Sequence, residues 1–402
     1  MRRVLSAHPV GGSYRLSSAI HAFKQVFFGL VLFAVSHQSG YAGNFSSYAV
    51  SGSTIVFQLS GTPATVKIVV CKEDIIRVLL TDRANTFNPD SLYLDFYGPY
   101  LVVRYDWDPV PFTVTEHADR VEVVTARLKV KCFKSPFRIQ FCTLNDVVIN
   151  EDDTAAAAYT VVKKMYPDEH FYGLGTGQTA YQQSFRPGPL DYRGRAVTVT
   201  GSVNCAGGCN QAQFFMSTRG YGISVPTFND CLYDFSRQNT YAITGGMVGP
   251  HKEYYFYYGP SFRHILDLYT QVTGRPGFLP KYYFGVTHSE DEWSGARAVT
   301  TAAAIIREQN LRGDIIRTDN TCTWIGTSGD LPMKVAYSTI AAVVNNHNFR
   351  FSIWIMQYHT DPGWDPVYGS GVPKDVSDPR WRNWFFNHWH QAVSYTHLRA
   401  HE

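Results

Sequence analysis

The stretch from Gly259 to Gly285, GPSFRHILDLYTQVTGRPGFLPKYYFG, constrains the fold more than any other, because alternating strands precede it and repeating strand and helix units follow it. Its first half predicts an amphipathic helix with Ile265, Leu266, Tyr269 and Val272 on one face, and Gly274 stands where a left-handed C-cap is expected. Pro276 and Pro280 then bracket a short extended link. Tyr282, Tyr283, Phe284 and Val286 follow as a β-rich apolar run of the length of a buried strand.

From about residue 45 to 255 the period is two. Leu128, Val130 and Cys132 alternate with Lys129 and Lys131, and Phe137, Ile139 and Phe141 alternate with Arg138 and Gln140 across a Lys-Ser-Pro turn, which predicts a hairpin with one wet face. Similar strands are expected at Thr65 to Val70, Ile76 to Leu80, Tyr100 to Tyr105, Val197 to Val203 and Tyr254 to Tyr258, together a large antiparallel sandwich. After residue 280 the pattern becomes strand, helix, strand. The first strand is Tyr282 to Thr287, and its helix opens near Ser294 with Val299, Ala303, Ile306 and Leu311 facing inward, ending before Gly313. Asp314 to Thr318 is the second strand. A helix capped near Asp330 with Val335, Ile340 and Val343 on its apolar face leads to a third strand, Phe349 to Met356, and Asp378 with Pro379 opens another helix.

A chain of 402 residues is long enough for two domains or more. With 45% apolar, 15% aromatic and 17% charged residues it is a packed globular protein; the rings suit a β-rich core and equally the stacking of sugar CH faces. A net charge of +3 without any Lys/Arg cluster excludes nucleic acid as a partner. The first 42 residues read as a signal peptide: Arg2, Arg3, Arg15 and Lys24 precede the apolar run Val26 to Val35, and Gly40-Tyr41-Ala42 offers small residues at a cleavage site, so a secreted or periplasmic protein is expected. An uncleaved N-terminal anchor is the alternative, although the run is too short to cross a bilayer, and no stable membrane insertion is expected. Seven cysteines are compatible with disulfides, with one thiol left over. Cys205 and Cys209 lack a second pair at zinc-ligand spacing and read as a small disulfide loop or as unrelated residues. Asn44-Phe45-Ser46 fits a glycosylation sequon. Residues 394–402 break the pattern and read as a non-native tail.

The hinge segment resembles the entry into the catalytic barrel of glycoside hydrolase family 31, the retaining α-glucosidases and α-xylosidases, which place a Gly-x-Pro-x-x-Pro segment at this joint. Phe171-Tyr172-Gly173-Leu174-Gly175 is similar to the family's Tyr-Gly-Leu-Gly turn, and Phe214 to Ser217 with Gly220 to Ile223 resembles its Pro-Phe-x-x-Ser and Gly-Tyr-Gly segment. Asp314 to Asp319 is similar to the strand that carries a substrate-binding aspartate, and Val376 to Trp384 resembles an Asp-Phe-x-x-Pro-x-x-Arg-x-Trp-Trp segment. The resemblance implies a mutarotase-like β-sandwich followed by a partial (β/α)₈ TIM barrel, with the sandwich at 45–275 and the first βα units of the barrel at 276–393.

In such a barrel the active site lies at the C-terminal ends of the strands. The first strand offers His288, Glu290, Asp291, Glu292 and Trp293, the second Asp319 and Trp324, the third Gln357, His359 and Asp361. Carboxylates that accept hydroxyl hydrogen bonds beside rings that stack on a pyranose are what sugar binding uses, and Asp319, Trp324, His288 and Gln357 form the expected substrate-binding set. The resemblance places Asp319 where the family's second-strand aspartate grips the sugar in subsite −1, whereas Thr321 stands where several members have a second acid. Retention needs a nucleophile and an acid/base. The family carries its nucleophile in a Trp-x-Asp-Met-Asn-Glu segment that this sequence lacks, so both groups are expected beyond residue 393 and the 402-residue chain is expected to be inactive. No cofactor or metal is implied. The expected function is that of a fragment of a retaining α-glycosidase acting on α-linked glucosides or xylosides; an α-glucan transglycosylase and a non-catalytic carbohydrate-binding protein are the alternatives. The sequence defines no oligomeric state.

Overall fold

The computed structural model describes residues 43–60, 64–81, 101–153, 160–175, 191–199, 212–247, 251–290, 295–318 and 337–353, all within the compact unit Ser39–Glu402. The period-two region forms three antiparallel sheets. The largest has eight strands in the order β1 (Phe45–Ser51), β2 (Thr54–Leu59), β3 (Thr65–Lys72), β4 (Ile75–Thr81), β17 (His251–Tyr258), β14 (Tyr221–Ser224), β13 (Phe214–Ser217) and β11 (Phe171–Gly173). A five-stranded meander runs β5 (Phe112–Glu116), β6 (Arg120–Thr125), β7 (Lys129–Lys134), β8 (Phe137–Cys142) and β9 (Val148–Glu151). The third has the order β10 (Val161–Lys164), β16 (Thr240–Gly245), β15 (Cys231–Asp234) and β12 (Ala196–Val199).

These sheets close a sandwich because the alternation in each strand delivers rings to a shared core. Phe141 stacks on Phe256 at 3.8 Å and Phe57 meets Phe137 at 5.3 Å, each across two sheets, and Phe171 stacks on Phe235, just past β15, at 4.3 Å. The expected hairpin is present, with Val130 opposite Phe141, Cys132 opposite Ile139, and Lys131 opposite Gln140 on the wet side.

The other face of the eight-stranded sheet is covered as well, by helix α1 (Phe262–Thr273), so β4 is buried along its whole length and β17 nearly so. The helix is capped by Ser261, whose hydroxyl accepts the His264 N–H at 3.3 Å. Its buried face is Ile265, Leu268 and Val272, with Tyr269 stacked on Phe214 at 3.9 Å. Leu266, expected on that face, is 43% exposed, since one residue rotates the chain by about 100° and Leu268 completes the i, i+3, i+7 row. Gly274 has a positive φ of 89° but a ψ of 160°, so it is not a left-handed helical cap. The Val103 N–H donates to the Val272 carbonyl at 2.9 Å and supplies the terminal hydrogen bond from outside the helix. That contact also explains why residues 101–105 form no strand: Val102 is buried beneath α1 while Val103 serves its C-terminus.

After the hinge the chain forms parallel strands β18 (Thr287–Glu290), β19 (Ile315–Thr318) and β20 (Arg350–Ile353), in that order, with helices α2 (Gly295–Glu308) and α3 (Tyr337–Asn346) between them. Val299, Ala303, Ile306, Ile316, Val344 and Phe349 form their core. Tyr282 to Phe284 is not a buried strand: Lys281–Phe284 is a 3₁₀ turn closed by the Tyr283 N–H on the Pro280 carbonyl at 3.0 Å, and Phe284 is 78% exposed. The strand begins at Thr287, where the Asp314 and Ile315 N–H groups take the Val286 carbonyl. Helix α2 stops at Glu308, ahead of Asn310 at φ 52°, so Leu311 lies exposed beyond it instead of facing inward. On α3 the buried residue is Val344, with Val343 only half-buried. Among the described residues the second pattern is thus three parallel strands with two helices, not a barrel. The expected signal peptide, Asp330, Val335, the Ile340 side chain, the helix at Asp378 and the tail from 394 lie outside the described residues.

Among the described residues no helix is long and apolar enough to cross a membrane. Cys71, Cys132, Cys142 and Cys231 are buried, and Cys132, Cys142 and Cys231 are not joined in disulfides, because the strand alternation sends them to separate positions; Cys205, Cys209 and Cys322 lie outside the described residues.

Gly173 ends β11 with φ 129°, and a Cβ there would lie 2.6 Å from the Phe214 carbonyl oxygen and 2.9 Å from the Phe215 Cα. Neither backbone atom can yield without disturbing the β11–β13 pairing. Gly173→Ala is expected to destabilise the sandwich by about 1–3 kcal/mol, read as a lower urea midpoint at unchanged m-value; an unchanged midpoint contradicts the tight fit.

Candidate functional site

Strands β18, β19 and β20 pair without a register shift, and their last residues form one row: Glu290 opposite Thr318, and Thr318 opposite Ile353. The chain therefore leaves all three strands at the same edge, the C-terminal edge of a parallel sheet, where helix-linked α/β proteins build ligand sites. Asp319 is the residue immediately after Thr318. Asp319, Trp324, Gln357, His359, Asp361 and Asp291 to Trp293 themselves lie outside the described residues; what is described is the scaffold that carries them.

His288 is the described member of the expected set, and its contacts lie at the other edge. Its Nε2 is 3.1 Å from the Arg312 carbonyl oxygen, and its ring meets Phe349 edge-on at 6.3 Å. Arg312 precedes β19 and Phe349 precedes β20. A carbonyl only accepts, so Nε2 carries the proton in this hydrogen bond. Close packing enforces the arrangement, since a Cβ on Gly313 would lie 2.9 Å from the His288 ring.

That N-terminal edge is braced by Arg307, the penultimate residue of α2. Its guanidinium donates to the His347 carbonyl at 2.7 Å and to the Gly313 and Asn348 carbonyls at 2.8 Å each, and lies 3.7 Å above the Phe349 ring. One planar cation thus satisfies carbonyls from the ends of both helices. Asp314 fixes the strand ladder to the hinge: its N–H takes the Val286 carbonyl at 2.9 Å and its carboxylate accepts the Val286 N–H at 3.2 Å. Gly285 has no room for a side chain, because a Cβ would sit 1.9 Å from the Asp314 carboxylate. Arg307 carried no sequence signal beyond a basic residue in the last turn of a helix.

In the sandwich the sequence motifs become neighbours. Strand β11 pairs with β13 and β13 with β14, and the Leu174 N–H donates to the Phe214 carbonyl at 2.7 Å. Behind them lies buried Glu169, which the sequence reading did not single out. Its Oε1 accepts from the Ser217 hydroxyl at 2.7 Å and the Tyr221 hydroxyl at 2.6 Å, and its Oε2 from the Tyr166 N–H at 3.1 Å. The Tyr221 and Tyr241 hydroxyls are 3.0 Å apart, and Asn150 donates to Tyr241 at 2.9 Å. Burial, then Tyr241 and Glu169, pushes the Tyr221 hydroxyl far above its ordinary range, so it acts as a donor at any working pH. The signal for this network was an acid two residues ahead of an apolar motif.

The titratable groups most displaced from ordinary behaviour all lie in the sandwich and serve packing. An open depression of 420 Å³ at its edge is lined by Thr143, Val147, Thr218, Arg219 and Tyr258 among others, but Arg219 is tied to the Ile149 and Val148 carbonyls and stacks 3.8 Å from the Tyr166 ring. Among the described residues no cluster of His, Cys, Asp and Glu could hold a metal ion.

An antiparallel sandwich thus leads through a proline hinge into parallel βα units, and known proteins resemble the chain in this region. Residues 65–198 match the family model of the glycosyl hydrolase 31 N-terminal galactose mutarotase-like domain. An isomaltosyltransferase of Sporosarcina globispora is 26% identical over 224 residues, 50% of this chain and 20% of that protein. Alpha-glucosidase 2 of Bacillus thermoamyloliquefaciens is 24% identical over 283 residues, 66% of this chain and 33% of that protein. The crystal structure of a Flavobacterium johnsoniae family 31 dextranase complexed with glucose has the same fold, with a TM-score of 0.70 at 20% identity over 88% of this chain and 47% of that one. The family model, these relatives and this structure all cover the N-terminal region of the chain, which is similar to the mutarotase-like domain of glycoside hydrolase family 31. The chain spans less than half the length of each of these three proteins.

Lys252 provides a pH test of the sandwich. It is buried between sheets, donates to the Ile243 carbonyl, and burial lowers its ammonium from 10.5 to about 8. Below pH 8 both folded and unfolded chains hold the proton and the burial penalty is fully felt; between 8 and 10.5 the unfolded chain binds more protons, so this group makes stability rise with pH. Cys231, its neighbour, is pushed up to about 11 by burial and opposes the trend above pH 9. Wild type is therefore expected to gain on the order of 1 kcal/mol relative to Lys252→Met between pH 8 and 9, measured by urea unfolding. Parallel pH profiles would contradict the buried ammonium.

Proposed function

We propose that this chain supplies the sandwich and the first three βα units of a (β/α)₈ barrel that acts on α-linked glucosides with retention of configuration, in a protein exported from the cytoplasm. The reading rests on the in-register ends of β18, β19 and β20, from which the chain runs on at one edge, with Asp319 next in sequence after Thr318. There Asp319 would accept hydrogen bonds from the hydroxyls of the sugar whose bond is broken, Trp324 would stack on a pyranose face and Gln357 would donate from the third strand. His288 serves in this scheme as a positioning residue, holding the N-terminal edge so that the opposite loops keep their spacing. The nucleophile and acid/base, which retention requires about 5–5.5 Å apart, are assigned to later strands.

Transfer to a second sugar instead of water is the second reading, favoured by the relative named as an isomaltosyltransferase. The two differ only in what takes the glycosyl group from the enzyme. The relative named as an alpha-glucosidase favours glucosyl substrates here, and the α-xylosidases among the relatives make the α-xyloside the comparison that decides.

The test uses the complete gene product with 4-nitrophenyl α-glucoside, 4-nitrophenyl α-xyloside and isomaltotriose. The α-anomer is expected as the first product, with the glucoside preferred. Asp319→Asn is expected to lower kcat/KM about 10²–10³-fold, the loss of two hydrogen bonds to a charged acceptor. First release of the β-anomer, or an unchanged kcat/KM in Asp319→Asn, overturns the proposal. Longer oligosaccharides accumulating at high isomaltotriose select the transferase reading.

A further inference from the structure

We propose that Asn44 is the attachment site of an N-linked glycan that shields the open edge of the eight-stranded sheet. Asn44-Phe45-Ser46 is the single Asn-x-Ser/Thr triplet in the sequence. It stands at the entry to β1, where the pairing with β2 shifts register between Phe45 and Ser47 and leaves Ser46 outside the ladder. Asn44 and Ser46 are both exposed, while Phe45 between them is half-buried and turned toward Phe57 and Tyr48, 6.4 and 6.2 Å away. Acceptor amide and recognition hydroxyl thus share the solvent face, as transfer requires.

The asparagine is also well held. Its N–H donates to the Ser60 hydroxyl and its carbonyl accepts the Ser60 N–H, each at 3.0 Å, and its Oδ1 accepts from the Ser135 hydroxyl at 2.8 Å. Nδ2, the atom that would carry the sugar, has no partner among the described residues. The reaction forms a bond from Nδ2 to the anomeric carbon of a lipid-linked oligosaccharyl pyrophosphate. The bond from that carbon to the phosphate oxygen breaks, the lipid pyrophosphate leaves with the electron pair, and Nδ2 loses a proton.

The site has a structural consequence. Among the described residues strand β1 pairs only with β2 and ends the sheet, and most of its residues are exposed, so its outer backbone edge is a template for association with another chain. A bulky hydrophilic glycan at its first residue blocks that approach without touching the core.

The inference rests on residues 1–42 acting as an export signal, so the test separates the two. The full chain is translated with eukaryotic microsomes, in parallel with residues 43–402 placed behind a known cleavable signal, and both are treated with an amidase that removes N-glycans. One step in mobility is expected, lost in Asn44→Gln and Ser46→Ala and kept in Ser46→Thr. A glycan only behind the substituted signal supports Asn44 and refutes the native leader; no glycan in either overturns the proposal. Deglycosylated Asn44→Gln and wild type should scatter light equally, and the glycosylated wild type less; equal scattering by all three overturns the shielding role.

Discussion

The pairing of β17 with β4 is the constraint on which the molecule depends. From His251 opposite Thr81 to Tyr257 opposite Ile75 it joins the N-terminal hairpins to the motif strands. It also decides faces, sending Tyr254 and Phe256 into the sandwich and Tyr255 and Tyr257 toward α1. A slip of one residue would exchange those faces and carry Glu253 away from Arg77, its two-point partner at 2.8 and 3.1 Å. Because both ions are buried, that separation would leave two uncompensated charges in the core, so the ion pair specifies register more than it adds stability.

The same logic recurs between sheets. Lys163 and Asp152 form a buried pair at 2.5 Å, with Lys163 reaching the Tyr254 hydroxyl at 3.2 Å and Asp152 accepting the Ile139 N–H at 2.7 Å. Strands from all three sheets meet in that group, as they meet again around Glu169. An apolar core built of rings tolerates sliding; a few buried polar groups with fixed partners do not.

In the parallel layer the division of labour runs along the strands. The N-terminal edge is closed by Arg307, His288, Phe349 and the Asp314 clasp on Val286. The C-terminal edge is the one from which the chain leaves all three strands, and Asp319 is the residue after Thr318. A rigid floor under variable loops is how parallel α/β layers combine stability with binding.

The sandwich was legible in the sequence because period-two alternation is a local property: the hairpin of Lys129 to Cys142 follows from which residues are apolar. The hinge helix was legible for the same reason, and the family's motifs for theirs. Leu266 and Leu268 exchanged places because each residue turns a helix by about 100°, which puts 268 and not 266 on the row of 265 and 272, and Tyr282 to Phe284 became an exposed turn because an apolar run does not by itself say whether a strand or a Pro-led turn will form. His288 and Arg307 were out of reach for another reason: strand-end position suggested a ligand contact, yet the ring is held by Arg312 and Phe349, brought close only by parallel pairing. The sequence alone determined the elements and their apolar faces, since those arise from neighbours along the chain; which carbonyls Arg307 caps, which acid lies under Tyr221 and which strand ends line up with Thr318 were decided by the tertiary structure, because they join residues that only the packed sheets bring together.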